Sequence, residues 1–158
     1  MSVIRRDGDR AQVYAAESAA FEGTGYELTV AFDELLRLSE CVTAGDWWVL
    51  GPVEIRASRS DARSSATRWT GEDGPVIHLA GPQMTMATLA HELAHALAGR
   101  THGHDSVYRR AHLDVVGVLL GEVPRVWLEE AYRLHGLRVG HRRWSTPPPP
   151  TPRGPIAL

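Results

Sequence analysis

The sequence predicts an α+β fold in which a small sheet packs on a buried helix and further helices flank both. Three observations support this fold. Segments with helical periodicity stand towards both ends of the chain, whereas strand-like alternation is confined to residues 53–80. The links between the strand-like segments are short, which favours an antiparallel sheet of about three strands. The length of 158 residues suits one domain with a single core.

Two helices are predicted in the N-terminal part of the chain. We expect Asp7 or Asp9 to cap a first helix that runs to about Phe21, where a glycine-rich stretch follows. A second helix is expected from about Ala31 to Thr43, because its leucines recur at helical spacing and acidic residues occupy its first turn.

The middle of the chain holds the sheet and the most apolar helix. Strands are predicted at residues 53–58, 65–70 and 76–80, with a turn between the last two. A helix from about Met84 to Ala98 carries leucine or alanine on nearly every side, which is typical of a helix buried all round. A glycine directly after it provides the C-terminal cap.

The C-terminal part is predicted to hold two more helices and a tail. The helices cover residues 105–120 and 124–136, and Pro124 suits the first turn of the second one. Residues 145–158 are rich in proline, which excludes helix and central strand. We therefore divide the chain into one domain, residues 1–144, and a disordered tail of partly polyproline II conformation.

Composition excludes several function classes. All 17 basic residues are arginine, so lysine-dependent chemistry such as a Schiff base or a P-loop is absent. The net charge of −2 indicates neither a strongly basic nucleic-acid binder nor an acidic tail. The single cysteine, Cys41, cannot form an internal disulfide, and we expect it to be buried. Neither a secretory signal nor a membrane span is visible, so we expect a cytoplasmic protein.

Residues 91–95 read His-Glu-Leu-Ala-His, an HExxH motif inside the predicted buried helix. Two histidines four residues apart lie about 40° apart around a helix axis and about 6 Å apart along it, so both rings can reach one metal ion. Glu92 flanks the same site without having to bind the metal, and there it can accept a proton from water. We therefore expect His91 and His95 to bind one Zn²⁺ per chain, because an otherwise apolar helix needs a reason to bury three polar side chains.

The third ligand remains open between His102 and His104, which both follow the glycine after the helix. The thermolysin arrangement would instead use a glutamate on the next helix, but that stretch offers only Asp114 before Glu122. The metzincin pattern does not fit, because Gly99 and His102 both come one residue late for it.

Further polar residues have simpler structural interpretations. Asp105 and Asp114 are candidates for orienting a ligand imidazole, although a helix cap or a solvated acid is the simpler explanation. We interpret His112 as a packing residue. Five N-terminal polar residues at helical spacing are interpreted as a structural network, namely Arg6, Asp7, Arg10, Tyr14 and Glu17. A basic and aromatic cluster is the one candidate contact to nucleic acid, although we favour a solvated segment as its explanation. Its members are Arg138, Arg142, Arg143 and Trp144.

Two blocks of the sequence match a known pattern. The first is Arg6-Asp7, Arg10 and Val13–Glu17, which follows Arg-Asp-x-x-Arg-x-x-Val-Tyr-x-Ala-Glu. The second joins residues 89–95 to residues 104–116, where the pattern reads His-Gly-x-x-Phe and then Tyr-Leu-Asp-Leu-Val. In both blocks the chain resembles small actinobacterial HExxH metallohydrolases, which are related in style to SprT-like zincins. The resemblance implies a minimal zincin-like fold and favours His104 over His102 as the third ligand. The dipeptide His-Gly, however, stands at residues 102–103.

Together these observations predict a zinc-dependent hydrolase, with a metallopeptidase as the first hypothesis. Glu92 is the expected general base, and a water molecule activated by zinc attacks an amide carbonyl. The expected partner is a peptide or protein substrate, since a flanking sheet edge suits an extended chain. Nucleic acid and membrane are not expected partners, and the sequence leaves the oligomeric state open. The alternative is a zinc-stabilised interaction module without catalysis that associates with a protein or a nucleic acid. Glu92 would have no function in such a module.

Overall fold

The structure, a computed structural model, describes residues 7–71 and 73–150. Within these residues, five α-helices and three short strands confirm the small α+β fold. In chain order the elements are α1 (Arg10–Phe21), α2 (Phe32–Thr43), β1 (Glu54–Ala57), β2 (Ala66–Trp69), β3 (Pro75–Leu79), α3 (Met86–Ala98), α4 (Ser106–Leu119) and α5 (Glu122–Leu134). Short 3₁₀ turns occur at Gly25–Glu27 and Gly81–Gln83. None of the helices described has the length and apolarity that a bilayer crossing demands.

The sheet is mixed, so the expected antiparallel pairing is wrong for one strand. β3 lies in the centre and pairs antiparallel with β2 but parallel with β1. Most side chains of β3 are buried or nearly so, whereas β1 and β2 bury few, so the most apolar strand takes the position with two neighbours. β1 and β2 lie on opposite sides of β3, about 10 Å apart. The link of residues 58–65 is long enough to pass β3 and connect them.

Helix α3 lies in the core, where it packs against α2, α4 and two strands of the sheet. Ten of its 13 residues are buried, which confirms the prediction of a helix buried all round. The hydroxyl of Thr85 caps its N-terminus by accepting the N–H of Thr88, and Gly99 ends it with a φ of 102°. The outer helices α1 and α5 pack on each other, and α5 also packs on α4.

Two local expectations in the N-terminal part are wrong. Asp9 occupies the N-cap position of α1, but its side chain makes no capping hydrogen bond. The carboxylates of Asp7 and Asp9 instead bind groups near α4, namely His104 and Arg109. Cys41 is exposed, because the apolar stripe of α2 faces the core from the opposite side.

The segment that follows α5 runs along α4, and we call residues 138–144 the C-terminal strap. Two arginines of α4 donate to carbonyl groups of the strap. In return Arg142 and Trp144 donate to the buried carboxylate of Asp114 on α4. The basic and aromatic cluster is thus partly used in holding the chain together. Residues 145–150 have no regular secondary structure, and the remainder of the predicted tail, residues 151–158, lies outside the described residues.

Candidate metal centre

Helix α3 places the HExxH side chains at the boundary between the core and two surface cavities. His91 and Glu92 are 4% and 5% exposed, and His95 is partly buried. The two histidine rings lie with their centroids 5.0 Å apart, so the i, i+4 spacing brings them to one point as predicted.

The loop between α3 and α4 brings His104 to the same point. Gly99 ends α3, and the carboxylate of Asp105 caps α4 by accepting two N–H groups of its first turn. Between these two features the side chain of His104 turns inwards and is 5% exposed. Its Nε2 atom lies 3.2 Å from Nε2 of His91 and 3.2 Å from Nε2 of His95.

Two carboxylates bind the outer nitrogens of these rings. Glu17 Oε2 lies 2.9 Å from Nδ1 of His91, and Asp7 Oδ2 lies 2.6 Å from Nδ1 of His104. Asp7 also accepts the backbone N–H of His104 at 3.0 Å. Burial opposes ionisation of Glu17, but the neighbouring His91 lowers its pKa overall, so the carboxylate accepts the hydrogen bond. Each ring that donates from Nδ1 and is neutral has an unprotonated Nε2.

The donor set of this site fits a zinc ion. When both rings are neutral, His91 and His104 direct the lone pairs of Nε2 at each other across 3.2 Å. A shared proton relieves this repulsion for one pair of nitrogens, whereas a metal ion relieves it for all three. Two ligands at about 2.0–2.1 Å from a tetrahedral zinc ion lie about 3.3 Å apart, close to the observed spacing. Burial, aided by repulsion from neighbouring histidines, lowers the pKa of His95 to about 2 and favours a neutral ligand.

Glu92 is held beside the histidines by the sheet. The hydroxyl of Thr67 on β2 donates to Oε2 of Glu92 at 2.8 Å. Burial raises the pKa of the Glu92 carboxyl above its ordinary value, although His91 and Thr67 oppose the shift. A carboxylate of raised pKa is a stronger base at neutral pH, which is the property that proton transfer from water requires.

Two cavities meet at Glu92. The larger one, about 490 Å³, extends past His91 towards the 3₁₀ turn before α3, and the smaller one, about 250 Å³, extends past His95 and His104. Arg10 and Tyr14 of α1 line both of them. The ring of Tyr14 stacks on His91 at a centroid distance of 5.3 Å. Partial burial raises the pKa of its phenol, so Tyr14 is a hydrogen-bond donor at this position.

The remaining candidates lie apart from this point. Nδ1 of His102 donates to the carboxylate of Asp105 at 2.7 Å, and His102 is not part of the convergent group. Neither acid orients a ligand. Asp105 is a helix cap, as its simpler interpretation has it, but Asp114 is neither a cap nor a solvated acid, because its buried carboxylate binds the strap. His112 is fully buried below His91 and bonds to Tyr132.

Sequence reasoning misses the three side chains that support the centre. It assigns Asp7 and Glu17 to a structural network and gives Thr67 no role. A signal does exist, because Arg10, Tyr14 and Glu17 recur at helical spacing, which places them on one face of α1, and Asp7 directly precedes this helix. That this face meets α3 is visible only in the tertiary structure.

Comparison with known proteins adds little to the geometry. No known protein family and no solved structure match the chain. A stretch of 65 residues is 37% identical to the tRNA modification GTPase MnmE of Caulobacter vibrioides. This similarity covers 38% of the chain and 14% of the length of MnmE.

Proposed function

We propose that this chain is a zinc-dependent hydrolase of the HExxH type that cleaves peptide bonds. The observation that carries the proposal is the convergence of three Nε2 atoms, from His91, His95 and His104, beside a buried carboxylate that borders two cavities. The resemblance of the two sequence blocks to HExxH metallohydrolases supports it. The partial similarity to a GTPase offers no comparable support, since it covers 14% of that protein.

Each side chain of the centre has one role in the proposed reaction. The three histidines hold the ion, which when bound supplies a Lewis acid and lowers the pKa of water. Glu92 takes a proton from water at Oε1, because Oε2 is occupied by the hydroxyl of Thr67, and then passes the proton to the leaving amine. Arg10 and Tyr14 provide donors in both cavities for the oxygen that becomes negatively charged.

The sheet edge beside Glu92 suits a peptide. β2 lies at an edge of the sheet, and its residues line the smaller cavity together with Glu92. An extended chain that pairs with an edge strand gains backbone hydrogen bonds without requiring a particular side chain. The substrate we propose is therefore an extended peptide or protein segment. We place the enzyme in the cytoplasm, in keeping with its free, exposed cysteine.

A zinc-stabilised interaction module is the competing function. Such a site needs no acid beside the ligands and usually provides a fourth protein ligand. The convergent group among the described residues has three members, and Glu92 lies next to them with a raised pKa. Both features favour catalysis over a structural role.

Zinc content tests the ligand set. Purified protein reconstituted with zinc should contain one equivalent per chain by mass spectrometry of the metal. His104→Ala should lose most of it under dialysis, whereas His102→Ala, a change in the same loop, should retain it. Wild-type protein without zinc after reconstitution would overturn the proposal, and full retention in His104→Ala would overturn the assignment of this ligand.

Hydrolysis is tested with Glu92→Gln. We expect wild-type protein to cleave members of a fluorogenic peptide library. Glu92→Gln should retain one zinc but lose about 10²–10⁴-fold in rate, the contribution typical of a general base. The control is Glu22→Gln at the exposed end of α1, which should be unaffected. A zinc-loaded wild type that cleaves no peptide in the library would instead support the interaction module.

A further inference from the structure

A line of buried polar side chains leads from the candidate metal centre into the core. Its members come from four helices: Glu17 from α1, His91 from α3, His112 from α4 and Tyr132 from α5. We call these four residues the buried polar chain. His112 and Tyr132 are 0% exposed. Burying polar groups this deeply carries a cost unless they satisfy one another.

In the buried polar chain, each side chain contacts the next one through a specific polar atom. The Tyr132 hydroxyl lies 2.6 Å from Nδ1 of His112. Nε2 of His112 faces Oε1 of Glu17 at 3.7 Å and is the only buried side-chain polar atom without a hydrogen-bond partner among the described residues. The other carboxylate oxygen of Glu17 binds Nδ1 of His91 at 2.9 Å.

The charge on Glu17 selects the tautomer of His112. If Tyr132 donates to Nδ1, the ring hydrogen resides on Nε2 and points at the carboxylate of Glu17. The reverse tautomer would set an Nε2 lone pair against that carboxylate in a medium of low dielectric constant, where repulsion is strong. The first arrangement is therefore the stable one.

We propose that His112 and Tyr132 are positioning residues for the metal ligand His91. Tyr132 donates to Nδ1 of His112 and so supports the tautomer that the charge on Glu17 selects. The Nε2–H of His112 then attracts one oxygen of Glu17, so that the other oxygen stays directed at Nδ1 of His91. The orientation of His91 is thus set from three successive side chains. This inference rests on the metal site of the proposed function but not on hydrolysis.

The contact between Asp7 and His104 lacks such support, and it therefore serves as a comparison within the same site. Asp7, which binds His104, has a side chain that is 31% exposed, whereas the Glu17 side chain is 12% exposed. Solvent therefore reaches the Asp7 carboxylate more readily, and water can more easily replace it than Glu17 as the hydrogen-bond acceptor of its histidine. Perturbing the buried polar chain should therefore affect His91 and leave His104 unchanged.

A second metal ion is the competing explanation for the unpartnered nitrogen. Glu17, His91 Nδ1 and His112 Nε2 lie within 4.8 Å of one another. A second ion there would require His91 to lose both ring protons and would separate Glu17 from Nδ1, which are now 2.9 Å apart. The observed contact favours the hydrogen-bonded chain.

The first experiment determines the tautomer of His112 by ¹⁵N NMR of the imidazole nitrogens in the zinc-loaded protein. We expect a protonated Nε2 and an unprotonated Nδ1. The opposite pattern, or two zinc equivalents per chain, would overturn the proposal. The same spectrum of metal-free protein reports the tautomer even if zinc binding fails, so failure of the proposed function is recognised separately.

The second experiment compares Tyr132→Phe with Ser39→Ala, by zinc affinity from chelator competition. Both changes delete one buried hydroxyl, but Ser39 lies on α2, which contributes no residue to the candidate metal centre or to the buried polar chain. We expect about three- to tenfold weaker binding for Tyr132→Phe, since partners beyond the ligands tune metal affinity. Equal affinity in the two variants would contradict the proposal.

The third experiment asks whether a donor alone restores the function of His112. Glutamine at this position keeps an N–H donor near the place of Nε2, whereas leucine removes it. His112→Gln should retain more zinc affinity than His112→Leu. In cobalt-substituted protein, the visible absorption spectrum should likewise differ less from that of the wild type in His112→Gln than in His112→Leu. Equal losses in both would indicate a packing role and overturn the proposal. If neither variant folds, Tyr132→Phe decides.

Discussion

Asp7 holds His104 by two atoms, and this double contact makes a small residue next to the ligand necessary. One carboxylate oxygen accepts the backbone N–H of His104 and the other binds its ring at Nδ1. To reach both, the carboxylate passes over Gly103, where an added Cβ would come within 2.8 Å of the Asp7 carboxylate carbon. The ligand, its acceptor and the glycine therefore form one unit.

Replacing Asp7 with asparagine should weaken zinc binding about 10- to 100-fold, the range found for partners of ligand histidines. The amide offers a single oxygen for two donors and carries no charge. Chelator competition measures the effect. Asp9→Asn provides the control, because Asp9 binds Arg109 and not a ligand. Equal affinities for the two variants would contradict the role of Asp7.

Gly103→Ala should weaken zinc binding without unfolding the protein. The added methyl group displaces the Asp7 carboxylate, so the expected loss has the same sign as for Asp7→Asn. The control is Gly81→Ala, a position where an added Cβ meets no atom within 4 Å. If alanine at position 103 binds zinc as tightly as glycine, Asp7 does not need this close approach.

Among the residues of the site, the sequence identifies those that lie close to one another along the chain. His91, Glu92 and His95 follow from the spacing of one helix, and His104 from a pattern within the next few residues. The carboxylates Asp7 and Glu17 could not be assigned, because 97 and 74 positions separate them from their partners. Only the packing of α1 brings them to the centre.

Among the elements, the C-terminal strap is a candidate for stabilising α4. Asp114 is 5% exposed and accepts both Nε and Nη2 of Arg142 as well as the indole N–H of Trp144. Asp114→Ala would leave these donors without an acceptor, and we expect the free energy of unfolding to fall by about 1–3 kcal/mol in urea titrations.

The control for Asp114→Ala is Glu130→Gln on α5, which lies outside the strap. Its ion pair with Arg133 is exposed to solvent, and such pairs contribute little to stability. The unfolding midpoint of this variant should remain at the wild-type value. A strap without a stabilising role would place Asp114→Ala at the same midpoint.

Element positions were largely predictable, but the pairing of one strand was not. Helical periodicity, glycines and prolines placed all five helices to within a few residues of their observed ends. The parallel alignment of β1 with β3 depends on which strand is central. That choice reflects burial of β3 against α3, a contact between distant parts of the fold.

For the whole molecule, the metal is expected to act as a crosslink between α3, the loop after it and, through the carboxylates, α1. A ligand that binds only the folded state at 1,000 times its dissociation constant adds about 4 kcal/mol to stability. For a chain of this size, that corresponds to roughly 8–16 °C in Tm. A chelator should therefore lower the Tm of wild-type protein by about this amount, as scanning calorimetry can measure.

The control for metal removal is His104→Ala, whose melting should be insensitive to the chelator. A wild type with the same Tm before and after chelation would show that the ion does not contribute to folding, even if it binds.

The sequence distances at the centre also have a consequence for the lifetime of the bound ion. Closing a chain loop costs about 0.6 kcal/mol more with each doubling of its length, so joining residues 91–104 is easier than bringing in Asp7 across 97 positions. If the site binds zinc as proposed, we expect the histidines to capture the ion during refolding before α1 docks. Docking should then add the two carboxylates and slow release of the ion. Loss of α1 contacts should accordingly raise the dissociation rate of the ion while its association rate stays nearly constant.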